Sequence, residues 1–203
     1  MKKTILRLLL LSPILMAFQC FDDEYDIIQN EYNVTLTNQS NFAVNDIIWV
    51  EGKVSSKGFD TEVNDSIFLE SPVIEDLNIM RLVQQNSITS QANSRGAIND
   101  FVIVNDIGSN SSGLCDLAAV IVTSELSADE KFYTYRIGFK ATTQGDYFIS
   151  FRKSDITNST RNESIFNPYR LTNNENVLGF DLCGNTSARL TNESDREFFF
   201  TVN

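Results

Sequence analysis

The feature that most narrows what this chain can become is the spacing of its apolar residues, which recur at every second position. Tyr32, Val34 and Leu36 alternate with polar neighbours, as do Ile48, Val50, Gly52 and Val54 in DIIWVEGKV and Tyr133, Tyr135, Ile137 and Phe139 in KFYTYRIGFKAT. A period of two places such residues on one face of an extended strand, leaving the other face for solvent. Tyr147, Ile149 and Phe151 repeat the pattern in DYFISFRK, and the intervening TTQGD supplies turn residues, so the spacing predicts an antiparallel hairpin.

Further strands are expected at SIFLE (66–70), NIMRLV (78–83), DFVIV (100–104), DLAAVIVTS (116–124), NVLGFDL (176–182) and REFFFTV (196–202). Clusters of Asn, Ser, Asp and Gly such as NDIGSNSSG separate them, and sustained helical periodicity is scarce. The polar stretch 84–98, QQNSITSQANSRGAI, reads as a long loop or a short helix. Roughly eight to ten strands predict an all-β fold, an antiparallel two-sheet β-sandwich with a closed β-barrel as the alternative. With 203 residues, no internal repeat and no Pro-rich or Gly-rich linker, residues 31–203 are expected to form one domain.

The N-terminus obeys a different grammar. In MKKTILRLLLLSPILMAFQCFDDEYD, Lys2, Lys3 and Arg7 head an apolar run from Ile5 to Phe18, the order of a secretory signal. The run is broken by Arg7 and Pro13 and is too short to span a bilayer, which needs ~20 mostly apolar residues. Small residues for ordinary signal cleavage are poorly supplied, whereas Cys20 sits directly after the run. Residues 1–20 resemble a bacterial lipoprotein signal, whose cysteine receives a diacylglyceryl thioether and becomes the new N-terminus. Ala17 fits that pattern, while Gln19 stands where a small residue is usual.

Asp22, Asp23, Glu24 and Asp26 follow at once and resemble the acidic surface-export signals of Bacteroidetes lipoproteins. The resemblance covers the first thirty or so residues. It implies a signal peptide over 1–19, a tether over 20–30, and attachment to the bacterial outer membrane through acyl chains on Cys20. Display at the cell surface is expected, with the periplasmic face as the alternative.

Removing residues 1–19 takes away Lys2, Lys3 and Arg7 and no acid, so the formal charge moves from −11 to −14. A chain this acidic repels nucleic acid and anionic head groups, leaving covalent acylation as its hold on a membrane. With Cys20 acylated, Cys115 and Cys183 remain as an even pair in an oxidising compartment. A Cys115–Cys183 disulfide is expected, the alternative being two separately buried thiols.

Histidine is absent, which removes Ser-His-Asp and Cys-His nucleophile systems and the commonest metal ligand. No C-x-x-C, G-x-S-x-G, phosphate loop or dinucleotide fingerprint occurs, so no zinc site and no cofactor is expected. A carboxylate pair, as in glycosidases, is the remaining catalytic device. Asp100, Asn105, Asp106 and Asn110 gather hard oxygen ligands but lack EF-hand spacing, and ordinary turn chemistry by Asn and Asp explains them more readily than calcium would.

Trp49, the only tryptophan, falls with Ile47, Glu51 and Lys53 on the strand face opposite Ile48 and Val50. An outward indole could stack on a sugar; the alternative is a ring covered by its surroundings. N-x-[ST] sequons at Asn33, Asn38, Asn64, Asn158, Asn162 and Asn192 accord with an Asn-rich and Ser/Thr-rich surface, and Asp65-Ser66-Ile67 resembles a short Bacteroidetes O-glycosylation motif. The function expected is a non-enzymatic binding or accessory module with a glycan or protein ligand. The alternatives are a carbohydrate-binding surface lipoprotein and a carboxylate-dependent glycoside hydrolase.

Overall fold

The computed structural model describes residues 27–84, 92–113, 118–158, 163–172, 174–182, 185–190 and 195–203. In chain order its first strands are β1 (Ile27–Ile28), β2 (Asn33–Leu36), β3 (Asn41–Phe42), β4 (Ile47–Ser55), β5 (Lys57–Asp60) and β6 (Asp65–Phe68). Then come β7 (Glu75–Leu82), β8 (Ser94–Gly96), β9 (Phe101–Ile107), β10 (Ser109–Ser112), β11 (Ala119–Thr123) and β12 (Glu125–Leu126). The last part holds β13 (Phe132–Ala141), β14 (Gly145–Phe151), β15 (Asp155–Ile156), the helical turn α1 (Glu163–Phe166), β16 (Val177–Leu182), β17 (Asn185–Leu190) and β18 (Glu197–Val202).

Two large sheets face one another. The first has the order β12-β13-β4-β2-β15, with β9 also on β13; the second has the order β17-β16-β8-β7-β14-β18-β3, with β11 on β7 and β10 on β11. The alternation seen in the sequence explains the packing. Ile48, Val50 and Val54 of β4 and Tyr133, Tyr135, Ile137 and Phe139 of β13 point inward, meeting Leu77 and Ile79 of β7 and Tyr147, Ile149 and Phe200 from β14 and β18. The fold is therefore an all-β sandwich, and among the described residues neither sheet closes into a barrel. A second apolar cluster lies on the far side of β14, where Phe148, Met80 and Phe199 pack with Phe180 and Phe166.

The sheets are mainly antiparallel, but β2 with β15, β8 with β16 and β3 with β18 are short parallel pairs. A larger departure concerns the expected hairpin. β13 pairs with β4, β9 and β12, whereas β14 pairs with β7 and β18, so the Thr142–Gln144 connection crosses from one sheet to the other. The reason is burial: Phe148 is as buried as Tyr147 and Ile149, so β14 needs cover on both faces and takes a central place.

The polar region 84–98 contains β8, and Ser109–Ser112 of the Asn/Ser cluster forms β10. β8 is held by polar contacts: the buried Ser94 hydroxyl donates to the Gly179 carbonyl at 2.8 Å and the Asn93 amide donates to the Tyr169 carbonyl at 2.8 Å. Ile27 and Ile28, expected in the tether, pair with β5 in a separate three-stranded sheet of order β1-β5-β6. Cys20, Cys115 and Cys183 lie outside the described residues.

Candidate functional site

β7 opens on Glu75, which continues the inward stripe of Leu77 and Ile79 and so carries a carboxyl into the core face at one end of the sandwich. Glu75 is only 2 % exposed. The buried Ser154 hydroxyl donates to its Oε2, and the Asp76 backbone N–H donates to the carboxylate as well. Burial nevertheless dominates. Loss of hydration, with smaller contributions from the Asp76 and Glu31 carboxylates, raises the Glu75 carboxyl to about 7.

Aromatic hydroxyls surround this acid. Tyr32 donates its phenol proton to the Val73 carbonyl at 2.6 Å, with Ser124 Oγ 2.7 Å from the same phenol oxygen. Burial lifts Tyr32 to about 12, so it remains a neutral donor at physiological pH. Its ring meets that of Tyr135 edge-on, with centroids 5.2 Å apart. Tyr135 is fully buried, its phenol is pushed far up by desolvation, and its hydroxyl has no hydrogen-bond partner among the described residues.

A cavity of about 200 Å³ opens at Glu75, lined also by Gln29, Asn30, Glu31, Tyr32, Val73, Ile74, Lys153 and Ser154. Exposed polar side chains from 29–31 and Lys153 line it together with the buried Glu75 and Ser154. Asn30 and Glu31 also border a shallower groove of about 540 Å³ whose other walls are Asn33, Lys53, Ser55 and Phe132. A concave site with a few convergent polar groups and one perturbed carboxyl is the ordinary form of a small-ligand site. Sequence reading missed Glu75, because its strand was expected to start at Asn78. The available signal was an acid in step with Leu77 and Ile79.

Trp49 lies elsewhere, on the outer face of the first sheet. Its indole rests against Gly138 of β13, where an added Cβ would come within 2.9 Å of Trp49 Cζ3. The Arg136 guanidinium sits 3.7 Å from the ring centroid and is fixed by Glu51 at 2.8 Å and Asp106 at 2.6 Å. Lys53 stands in the same way 3.7 Å over Phe132. Trp49 and Phe132 thus each already carry a protein cation.

Of the four oxygen-bearing residues considered for calcium, only Asn105 and Asn110 are shown in contact with one another, and both acids are engaged by other groups. Asp100 takes Arg81 at 3.2 Å and the Tyr147 hydroxyl at 2.9 Å, Asp106 takes Arg136, and the Asn110 amide donates to Asn105 at 2.8 Å. Among the described residues no cluster of three or more acidic or sulfur ligands could hold a metal ion. No helix of the described chain is long and apolar enough to cross a membrane. A scan against protein-family models gives no match, and a search of curated proteins gives none either.

Proposed function

We propose that this chain is a lipid-anchored protein of the bacterial outer membrane, held by acyl chains on Cys20 and displayed at the cell surface, whose sandwich serves as a binding or accessory module. The anchor rests on the order of basic head, apolar run, Cys20 and acidic cluster. The binding role rests on one observation: a cavity whose lining brings the buried Glu75 together with the exposed Gln29, Asn30, Glu31 and Lys153. Its ligand is a hydrogen-bonding group of a glycan or protein. A Cys115–Cys183 bridge completes the proposal for the mature domain.

Cells fed labelled fatty acid should label the wild type and not Cys20→Ala, and external protease should reach the domain in intact cells. The mature chain should retain a ligand from a panel of polysaccharides and envelope proteins and lose it in Glu75→Ala. Equal labelling of both chains would remove the anchor; unchanged binding by Glu75→Ala would remove the site.

A second reading is favoured by the two carboxyl groups in this cavity. Glu75, raised to about 7, has the protonation of a general acid, and Glu31 supplies a second carboxyl in the lining of the same cavity. Hydrolysis of a polysaccharide that ceases in Glu75→Gln would establish it.

A further inference from the structure

Beyond the sandwich core, the described residues leave nine large apolar side chains exposed, among them Ile27, Ile28, Phe59 and Phe68 of the small sheet β1-β5-β6. Three of these share one face of that sheet. Ile28 is directly opposite Phe59, and Phe68 is opposite Lys57, the residue two before Phe59, so all three project from the same side. They are 59 %, 39 % and 46 % exposed.

The other side of this sheet is already used. Gly58 is buried there, and a Cβ added to it would come within 2.9 Å of Ile27 Cγ2 and 3.1 Å of Leu69 Cδ2. The corner that turns β4 into β5 is pinned at Ser56, whose N–H donates to the Lys131 carbonyl at 3.0 Å and whose hydroxyl donates to Glu130 at 2.6 Å. The sheet is therefore presented in a fixed direction, with its apolar face outward.

We infer that this face docks on the lipid bilayer, with Ile28, Phe59 and Phe68 entering the head-group region. The inference rests on the anchored reading above. Ile28 lies eight positions after the acylated Cys20, and that length of chain reaches at most about 28 Å. The patch is thus confined within one bilayer thickness of the membrane surface by the covalent tether. With the mature charge at −14, attraction to anionic lipid is excluded as the driving force, and exposed aromatic and branched apolar side chains supply the remaining one. Lys57, on the same face and opposite Phe68, can lay its stem along the lipid and reach a phosphate.

The test uses the full acylated chain in vesicles of phosphatidylcholine with or without bromine on the acyl chains. In a Trp49→Phe background, Phe59→Trp and, separately, Phe68→Trp report from the face itself. The expected result is a blue-shifted emission that is lost in brominated vesicles at either position. Two variants guard against a fold defect in one. Chains that take up no fatty acid at Cys20 would overturn the anchor and the docking with it. Chains that float with the vesicles yet keep unquenched emission at both positions would overturn the docking alone. Concentration-dependent dimers with unquenched emission would also overturn it, assigning the face to a second copy.

Discussion

Ser154 donates its hydroxyl to the carboxylate of Glu75 inside the protein, joining the start of β7 to the approach of β15. The contact favours the ionised acid, but the surrounding burial opposes ionisation more strongly.

That balance predicts a pH-dependent stability of definite sign. Glu75 rises from an ordinary value of 4.5 to about 7 on folding, so the folded chain binds its proton more tightly than the unfolded chain does. Its contribution is complete below pH 4.5, shrinks as the unfolded carboxyl ionises first, and is lost by about pH 7, a change on the order of 3 kcal/mol. Urea unfolding of the mature chain should show midpoints falling from pH 5 to pH 7. Glu75→Gln should flatten this slope, and an equal slope in both proteins would refute the assignment.

Removal of the hydroxyl acts in the opposite sense to removal of the acid. Ser154→Ala deletes the hydrogen bond that lowers the Glu75 carboxyl, so the titration should move above 7 and the decline in stability should extend to higher pH. Comparing unfolding midpoints of the variant and wild type from pH 6 to pH 8.5 checks it. A shift toward lower pH would show that Ser154 does not hold the anion.

The strands that face the core on one side were legible because alternation reports a single buried face, as in β4 and β13. Their partners were not. YFISF in β14 is apolar at successive positions, which signals cover on both faces, yet the nearby TTQGD suggested a hairpin with β13. β8 and β10 escaped because Ser94, Asn93 and the Ser109–Ser112 run satisfy backbone and buried positions with polar groups, leaving no apolar rhythm to read. Trp49 was assigned the correct face, but its cover by Arg136 joins residues 87 positions apart and only strand register reveals it. Glu75 shows the limit for sites: an acid reads as a solvated charge until its neighbours bury it.

Trp49 offers a direct probe of its cation, since it is the only tryptophan in the wild-type chain. Arg136→Ala should free the covered indole face, increasing acrylamide quenching and moving emission to the red. Glu51→Ala should do so less, because Asp106 still holds the guanidinium at 2.6 Å. Unchanged quenching in Arg136→Ala would mean that the cation does not sit on the ring in solution.

The proposed Cys115–Cys183 bridge closes a long loop, for which chain entropy gives a stabilisation of ~4 kcal/mol. Non-reducing peptide mass analysis of the mature chain should recover the linked pair, and the double Ser variant should unfold at lower urea. Two alkylated thiols in native protein would exclude the bridge.

Tyr135 and Gly52 meet closely in the core, and they allow opposite predictions from neighbouring atoms. The two residues are paired across β4 and β13, and the tyrosine ring occupies the space a Gly52 side chain would need, its Cε1 and Cζ overlapping an added Cβ. Gly52→Ala should therefore cost about 1–3 kcal/mol or more, because the ring is enclosed and has nowhere to retreat. Replacing the ring by a shorter side chain in Gly52→Ala/Tyr135→Val should recover part of that loss, a coupling that a double-mutant cycle measures. The phenol oxygen behaves differently: it is buried with no partner among the described residues, so Tyr135→Phe removes an unmet polar group and should leave stability equal or raise it by up to ~1 kcal/mol. A loss of more than ~1 kcal/mol in Tyr135→Phe would show that the hydroxyl is hydrogen-bonded in the folded protein. Additive effects in the cycle would show that the ring is not what keeps position 52 a glycine.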